Sequence, residues 1–157
     1  MKLSISIYLI TLLLIVSCKQ RIIKYDNQEQ LEGFIKHETA IDLKEKNSDI
    51  LIVVLQNEDC ICTEPDIRLS LALLSSKKYK DYKKVLIVSR SGHKVFKNFN
   101  LVKYKDRIKV IVNENDTLLR AGYIAMTDRI IIYNKGLSTY YADLHTVKPE
   151  LVEKDLL

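Results

Sequence analysis

Proline and glycine are scarce in this chain, two and four in 157 residues. With so few turn-formers, the folded part is expected to consist mostly of regular elements. There is no internal repeat and no low-complexity tract, which excludes solenoid and linker architectures. A Gly-rich phosphate loop, a nucleophile elbow and a paired-histidine zinc motif are all absent, so the commonest phosphoryl-transfer, hydrolase and metalloprotease signatures find no support. A concentrated basic face is also lacking. The formal charge is +5, but Lys77-Lys78, Lys80, Lys83-Lys84, Lys103, Lys105 and Arg107 are spread along the chain with acidic residues interleaved elsewhere. Nucleic-acid binding calls for a basic patch, so the lysines read as a solvated surface leaning toward anionic lipid headgroups, and no nucleic-acid partner is expected.

The first eighteen residues carry the strongest signal that is present. Met1-Lys2 is a short basic start, and Leu3 to Val16 is apolar except for Ser4, Ser6 and Thr11. This run is about fifteen residues long, short for a bilayer span of roughly twenty. It ends in Ile15-Val16-Ser17-Cys18. The segment resembles a bacterial lipoprotein signal peptide with its lipobox. That resemblance implies a signal peptide over residues 1–17, a diacylglyceryl group on Cys18 as the mature N-terminus, and a lipidated tether over 18–26. The remaining alternatives are an uncleaved anchor, or a signal without lipid in which Cys18 is incidental. Lipidation would tether the protein to a membrane of the Gram-negative cell envelope. Two acyl chains hold stably at about 0.8 kcal/mol per buried methylene, and disulfides persist in that compartment. The basic Lys19-Gln20-Arg21 favours a periplasm-facing position.

Residues 27–157 are enough for one domain with its own core. A helix is expected over Gln28 to His37, with Leu31, Phe34 and Ile35 on one face. A polar loop then runs from Glu38 to Asp49. Ile50 to Leu55 is a continuous β-branched-rich run that suits a strand buried on both faces. A helix follows near Pro65 to Ser76, with Pro65 in its first turn and Glu64 and Asp66 at its positive end. Strands are expected at Val85 to Val88, Ile108 to Val112, Arg129 to Tyr133 and Leu137 to Ala142, the last two joined by a turn at Lys135-Gly136. Short helices are placed near His93 to Phe99, Thr117 to Tyr123 and Val147 to Leu156. In the Thr117 helix Leu118, Leu119 and Ala121 are core candidates. Strands alternating with helices before a terminal hairpin predict an α/β fold with a mixed sheet.

The order of elements from Ile50 to Leu156, with closely spaced cysteines after the first strand, resembles a thioredoxin-like domain of the membrane-tethered, TlpA and peroxiredoxin-related type. The resemblance also rests on Asn115-Asp116, Leu118-Leu119, Gly122-Tyr123-Ile124, Ile130 to Tyr133 and Asn134-Lys135-Gly136. It implies a thioredoxin-like three-layer sandwich with a central mixed sheet of about five strands. It further implies thiol–disulfide exchange at Cys60 and Cys62, with Cys60 attacking and Cys62 resolving, a protein dithiol or disulfide as substrate, and no cofactor.

Two features depart from that pattern. The cysteines are separated by one residue where the family has two. The family also places a cis-proline before the strand facing the cysteines, and the matching stretch, Ala125-Met126-Thr127-Asp128, has no proline. Glu58, Asp59, Glu64 and Asp66 oppose thiolate formation. The cysteines therefore remain open to a structural or vestigial reading, or to copper binding with His93 or His145. His37 is explained by its place at a helix end. The alternative to a redox protein is a non-catalytic envelope lipoprotein that uses the scaffold for binding or structure.

Overall fold

The computed structural model describes residues 22–55, 63–89, 108–113, 117–122 and 128–147. Helix α1 spans Gln28–Thr39 and strand β1 Asp49–Leu55. Helix α2, Thr63–Ser75, is followed by a 3-10 turn at Lys77–Tyr79 and strand β2, Lys83–Ser89. Then come β3 (Ile108–Asn113), the one-turn helix α3 (Thr117–Arg120), β4 (Arg129–Asn134), β5 (Leu137–Asp143) and a 3-10 turn at Leu144–Thr146. The helix expected near His93 and the closing helix beyond Val147 lie outside the described residues.

The five strands form one mixed sheet in the order β3-β2-β1-β4-β5. β1 and β2 are parallel, as are β2 and β3, while β4 is antiparallel to β1 and β5 to β4. A parallel βαβ unit thus leads into an antiparallel hairpin. This is the α/β fold with a mixed five-stranded sheet that the sequence pattern predicts.

The central strand explains why its sequence does not alternate. Residues Ile50 to Leu55 are all fully buried, because successive side chains point to opposite faces and each face is covered. Ile50, Ile52 and Val54 meet Leu31 and Ile35 of α1. Leu51, Val53 and Leu55 meet Ile67, Leu73 and Leu74 of α2. The result is three layers, helix on sheet on helix. The stretch expected as a polar loop before β1 contributes to the core as well: Ile41 and Leu43 are buried against the α1 face. Ala121, expected in the core, is exposed, whereas Leu118 is buried.

Two local devices fix the frame. The β4–β5 turn has Lys135 at φ 52° and Gly136 at φ 80°, the positive pair a two-residue hairpin needs to match strand twist. A Cβ on Gly136 would lie 2.5 Å from the Lys44 carbonyl oxygen, so the loop before β1 packs directly on this turn. The C-terminus of α2 carries no basic residue in its last turn. Lys84, buried on β2, supplies one by donating from Nζ to the Leu74 carbonyl at 2.6 Å, which satisfies an orphan carbonyl and complements the helix dipole.

The segment expected as tether is part of the folded body from Ile22 onward. The Ile23 N–H donates to the Ser138 carbonyl at 2.8 Å, and Tyr25 stacks on Tyr141 with ring centroids 4.5 Å apart.

Candidate functional site

Cys60 and Cys62 fall in the connection between the end of β1 at Leu55 and the start of α2 at Thr63. Both lie outside the described residues, as do Cys18 and His93. The frame around that connection is described, and its chemistry can be built from the sheet upward. β1, β2 and β3 are parallel and end together at Leu55, Ser89 and Asn113. Carboxyl ends of parallel strands, with the N-terminus of the following helix, are where α/β folds place their sites.

Three buried polar residues gather on the α2 side of this end. Asp66 and Ser70 are one helical turn apart and share the buried stripe of α2 with Ile67, Leu73 and Leu74. Asp66 is 5% exposed and Ser70 fully buried. Asp128 is also fully buried. It directly precedes β4, whose Arg129 pairs with Val54, so it follows the sheet toward the end of β1. Its face is set by alternation with Ile130, which belongs to the α2-side core. Sequence reading placed Asp66 at the helix start as a dipole partner and missed that it turns inward. Asp128 and Ser70 were missed as buried groups. Their signal was available in register: Ser70 is four residues from Asp66 and from Leu74, and Asp128 is two before Ile130.

On the α1 side of the same end sits an ion pair. Arg129 Nη1 lies 2.9 Å from Asp143 Oδ2, with both side chains about one-fifth exposed. The guanidinium stands 5.4 Å over the Tyr141 ring, and Tyr141 stacks on Tyr25. Asn113 closes the edge, its Oδ1 accepting the Leu118 N–H at 3.1 Å. This bond ties the first turn of α3 back to the end of β3.

No cis peptide bond occurs among the described residues. Asp128 is the last residue of the stretch matched to the family's cis-proline; Ala125 to Thr127 lie outside the described residues. The Asp128 carbonyl accepts the Leu144 N–H at 3.0 Å, tying the start of β4 to the end of β5.

A second polar network lies across the sheet, under α1. Tyr133 donates to Glu32 Oε1 at 2.9 Å, so its oxygen accepts from the Tyr25 hydroxyl at 2.7 Å. Gln28 Nε2 donates to the same Glu32 oxygen at 2.7 Å, and Lys44 Nζ pairs with the other at 3.0 Å. Burial pushes the phenols of Tyr25 and Tyr133 well above their ordinary value, with the neighbouring Glu32 carboxylate adding to the shift. Tyr79 is raised to about 12, again by burial first. These tyrosines pack the core, and Tyr25 and Tyr133 are also tied into the Glu32 network.

His37 is exposed at the end of α1, with Nδ1 2.9 Å from Glu38 Oε1. Among the described residues no group of three His, Cys, Asp or Glu side chains is arranged to hold a metal, and no helix is long and apolar enough to cross a membrane.

No family model matches this chain, and no curated protein matches it. Among solved structures it is similar to a secreted disulfide oxidoreductase of Mycobacterium tuberculosis homologous to DsbE of E. coli, with a TM-score of 0.45 and 10% identity. The match covers 64% of this chain and 71% of the other. The fold assignment rests on the strand order and layering described above.

Proposed function

We propose that this protein is a membrane-tethered thiol–disulfide exchange protein of the cell envelope, lipidated at Cys18 and acting through Cys60 and Cys62. The observation that supports it best is where the cysteines fall in the chain. They follow the central buried strand and immediately precede α2, at the carboxyl ends of three parallel strands. A helix N-terminus favours a thiolate through its unpaired N–H groups and dipole.

In the proposed reaction the Cys60 thiolate attacks one sulfur of a substrate disulfide. The Cys60–substrate S–S bond forms, the substrate S–S bond breaks, and the departing thiolate takes a proton. The Cys62 thiolate then attacks the Cys60 sulfur and expels the second substrate thiol. The substrate gains two electrons and the Cys60–Cys62 pair loses them. Run in reverse, the same steps oxidise a substrate dithiol. The single-residue spacing makes a small ring whose strain favours reduction.

A specific observation favours the second reading, a scaffold lipoprotein without exchange activity. The stretch matched to the family's cis-proline contains no proline and ends in a buried aspartate, Asp128, and Asp66, another acid, lies buried in the first turn of α2. Both disfavour a negative sulfur nearby.

The deciding experiment uses the full chain with Cys18→Ser, which leaves Cys60 and Cys62 as the only thiols. Alkylation and mass spectrometry across a glutathione gradient should give a reversible two-electron midpoint between about −120 and −270 mV, the span of exchange proteins. A pair that never oxidises, or stays oxidised well below that span, rejects exchange in favour of the scaffold.

A further inference from the structure

We infer that the domain rests against the bilayer on one end of its sheet, around Ile22 and Leu137, and holds the opposite, cysteine-bearing end away from the membrane. The inference builds on the lipidation of Cys18 proposed above.

The sheet has two distinct ends. One is formed by Asp49 and Lys83, where β1 and β2 begin, and by the Lys135-Gly136 turn. The other is formed by Leu55, Ser89, Asn113, Arg129 and Asp143, and β1 leads from it into the connection that carries Cys60 and Cys62. The chain enters the domain at the first end, because the Ile23 N–H is bonded to the Ser138 carbonyl, one residue into β5. Only Lys19, Gln20 and Arg21 separate Cys18 from Ile22, a span of at most about 14 Å even fully extended. A lipid on Cys18 therefore keeps the first end within that reach of the headgroups.

The surface there suits a bilayer. Of the three large hydrophobic side chains exposed among the described residues, Ile22 (56%) and Leu137 (39%) are both at this end. Lys24, Lys46 and Lys135 are exposed around them. Several acids nearby are engaged, Glu32 with Lys44, Glu45 with Lys83, and Asp49 with the Lys135 N–H, while Asp26 and Glu29 are exposed along the same cleft. Ile22, Lys24, Lys44 and Leu137 also line a cleft of about 770 Å³. Exposed apolar groups ringed by lysines, next to a short lipid tether, match an anionic lipid surface.

The two ends are five residues apart along β4, about 17 Å at the rise of a strand. The exchange site would then face the aqueous compartment. Its substrates would be exported proteins beyond the membrane surface and not segments buried in the bilayer.

The chain has no tryptophan, so single-tryptophan variants report position cleanly. Leu137→Trp, Ile22→Trp and Ala121→Trp are made in the full lipoprotein and reconstituted into phosphatidylethanolamine–phosphatidylglycerol vesicles carrying a headgroup quencher. Ala121 is exposed and follows α3 at the cysteine-bearing end. Leu137→Trp and Ile22→Trp should lose most of their emission while Ala121→Trp keeps its own. The Ile22 variant carries the test if Leu137→Trp misfolds. Equal quenching at both ends, or none at either, overturns the proposed orientation when mass spectrometry shows the diacylglyceryl group on Cys18. An unmodified Cys18 overturns the lipidation reading itself, and the mass alone tells the two failures apart.

Discussion

At the scale of single residues, the polar groups that matter are the ones burial forces into pairs. Glu32 is 6% exposed, and a carboxylate removed from water needs its hydrogen bonds supplied by the protein. Tyr133 and Gln28 supply them at Oε1, and Lys44 Nζ forms an ion pair with Oε2. Replacing Tyr133 with phenylalanine should therefore cost about 2 kcal/mol, read as a lower urea midpoint. The same residue sets the alkaline limit. Burial raises the phenols of Tyr25 and Tyr133 above the ordinary value of 10.0. Above that pH the unfolded chain releases protons that the native state retains. Their contribution is complete below pH 10 and is lost as the pH rises beyond it. Chemical denaturation at stepped pH should show this fall, and Tyr133→Phe should flatten it. A parallel decline in the variant would show that these phenols do not control it.

At the scale of elements, the chain depends on contacts between pieces far apart in sequence. Helix α2 ends without a basic residue of its own and takes Lys84 from the next strand. Lys84→Met should keep the apolar stem packed but lose the charge on the Leu74 carbonyl, lowering stability by about 1–2 kcal/mol in thermal or urea unfolding. The β4–β5 turn has a sharper requirement. Gly136 sits at φ 80° with the Lys44 backbone against it. Gly136→Ala meets both the left-handed penalty and a backbone clash, so a loss of more than about 1 kcal/mol is expected. An unchanged unfolding midpoint would mean that the loop before β1 gives way easily.

The elements themselves were largely legible. The five described strands appear where they were expected; β1, β2 and β4 owe this to apolar, β-branched-rich runs that burial on both faces requires, whereas β3 and β5 carry exposed or half-buried positions. Helices α1 and α2 start and stop within a few residues of their apolar periodicity. The loop from Ala40 to Ser48 was less readable. Its polar composition hid Ile41 and Leu43, two isolated apolar positions without a period, which only packing against α1 and the sheet defines as core. Asp66, Ser70 and Asp128 were hidden for a similar reason. A polar residue reads as exposed until its face is known.

At the scale of the whole molecule, the fold makes a body with two unlike ends. One takes in the chain from the proposed lipid anchor, and the other is where three parallel strands stop and the cysteine connection begins. By itself the sequence determined the α/β class, the strand order along the chain, the double-faced burial of Ile50 to Leu55, and the position of Cys60 and Cys62 between a strand and a helix. These follow from local periodicity, which is written residue by residue. Only the tertiary structure decided that Asp66 and Asp128 are buried on the same face and that residues 22–25 belong to the body. It alone decided that the chain enters at the end of the sheet opposite the one where β1, β2 and β3 stop. Each of these depends on which distant segments meet across the sheet, and pairing between distant segments leaves no local period to read.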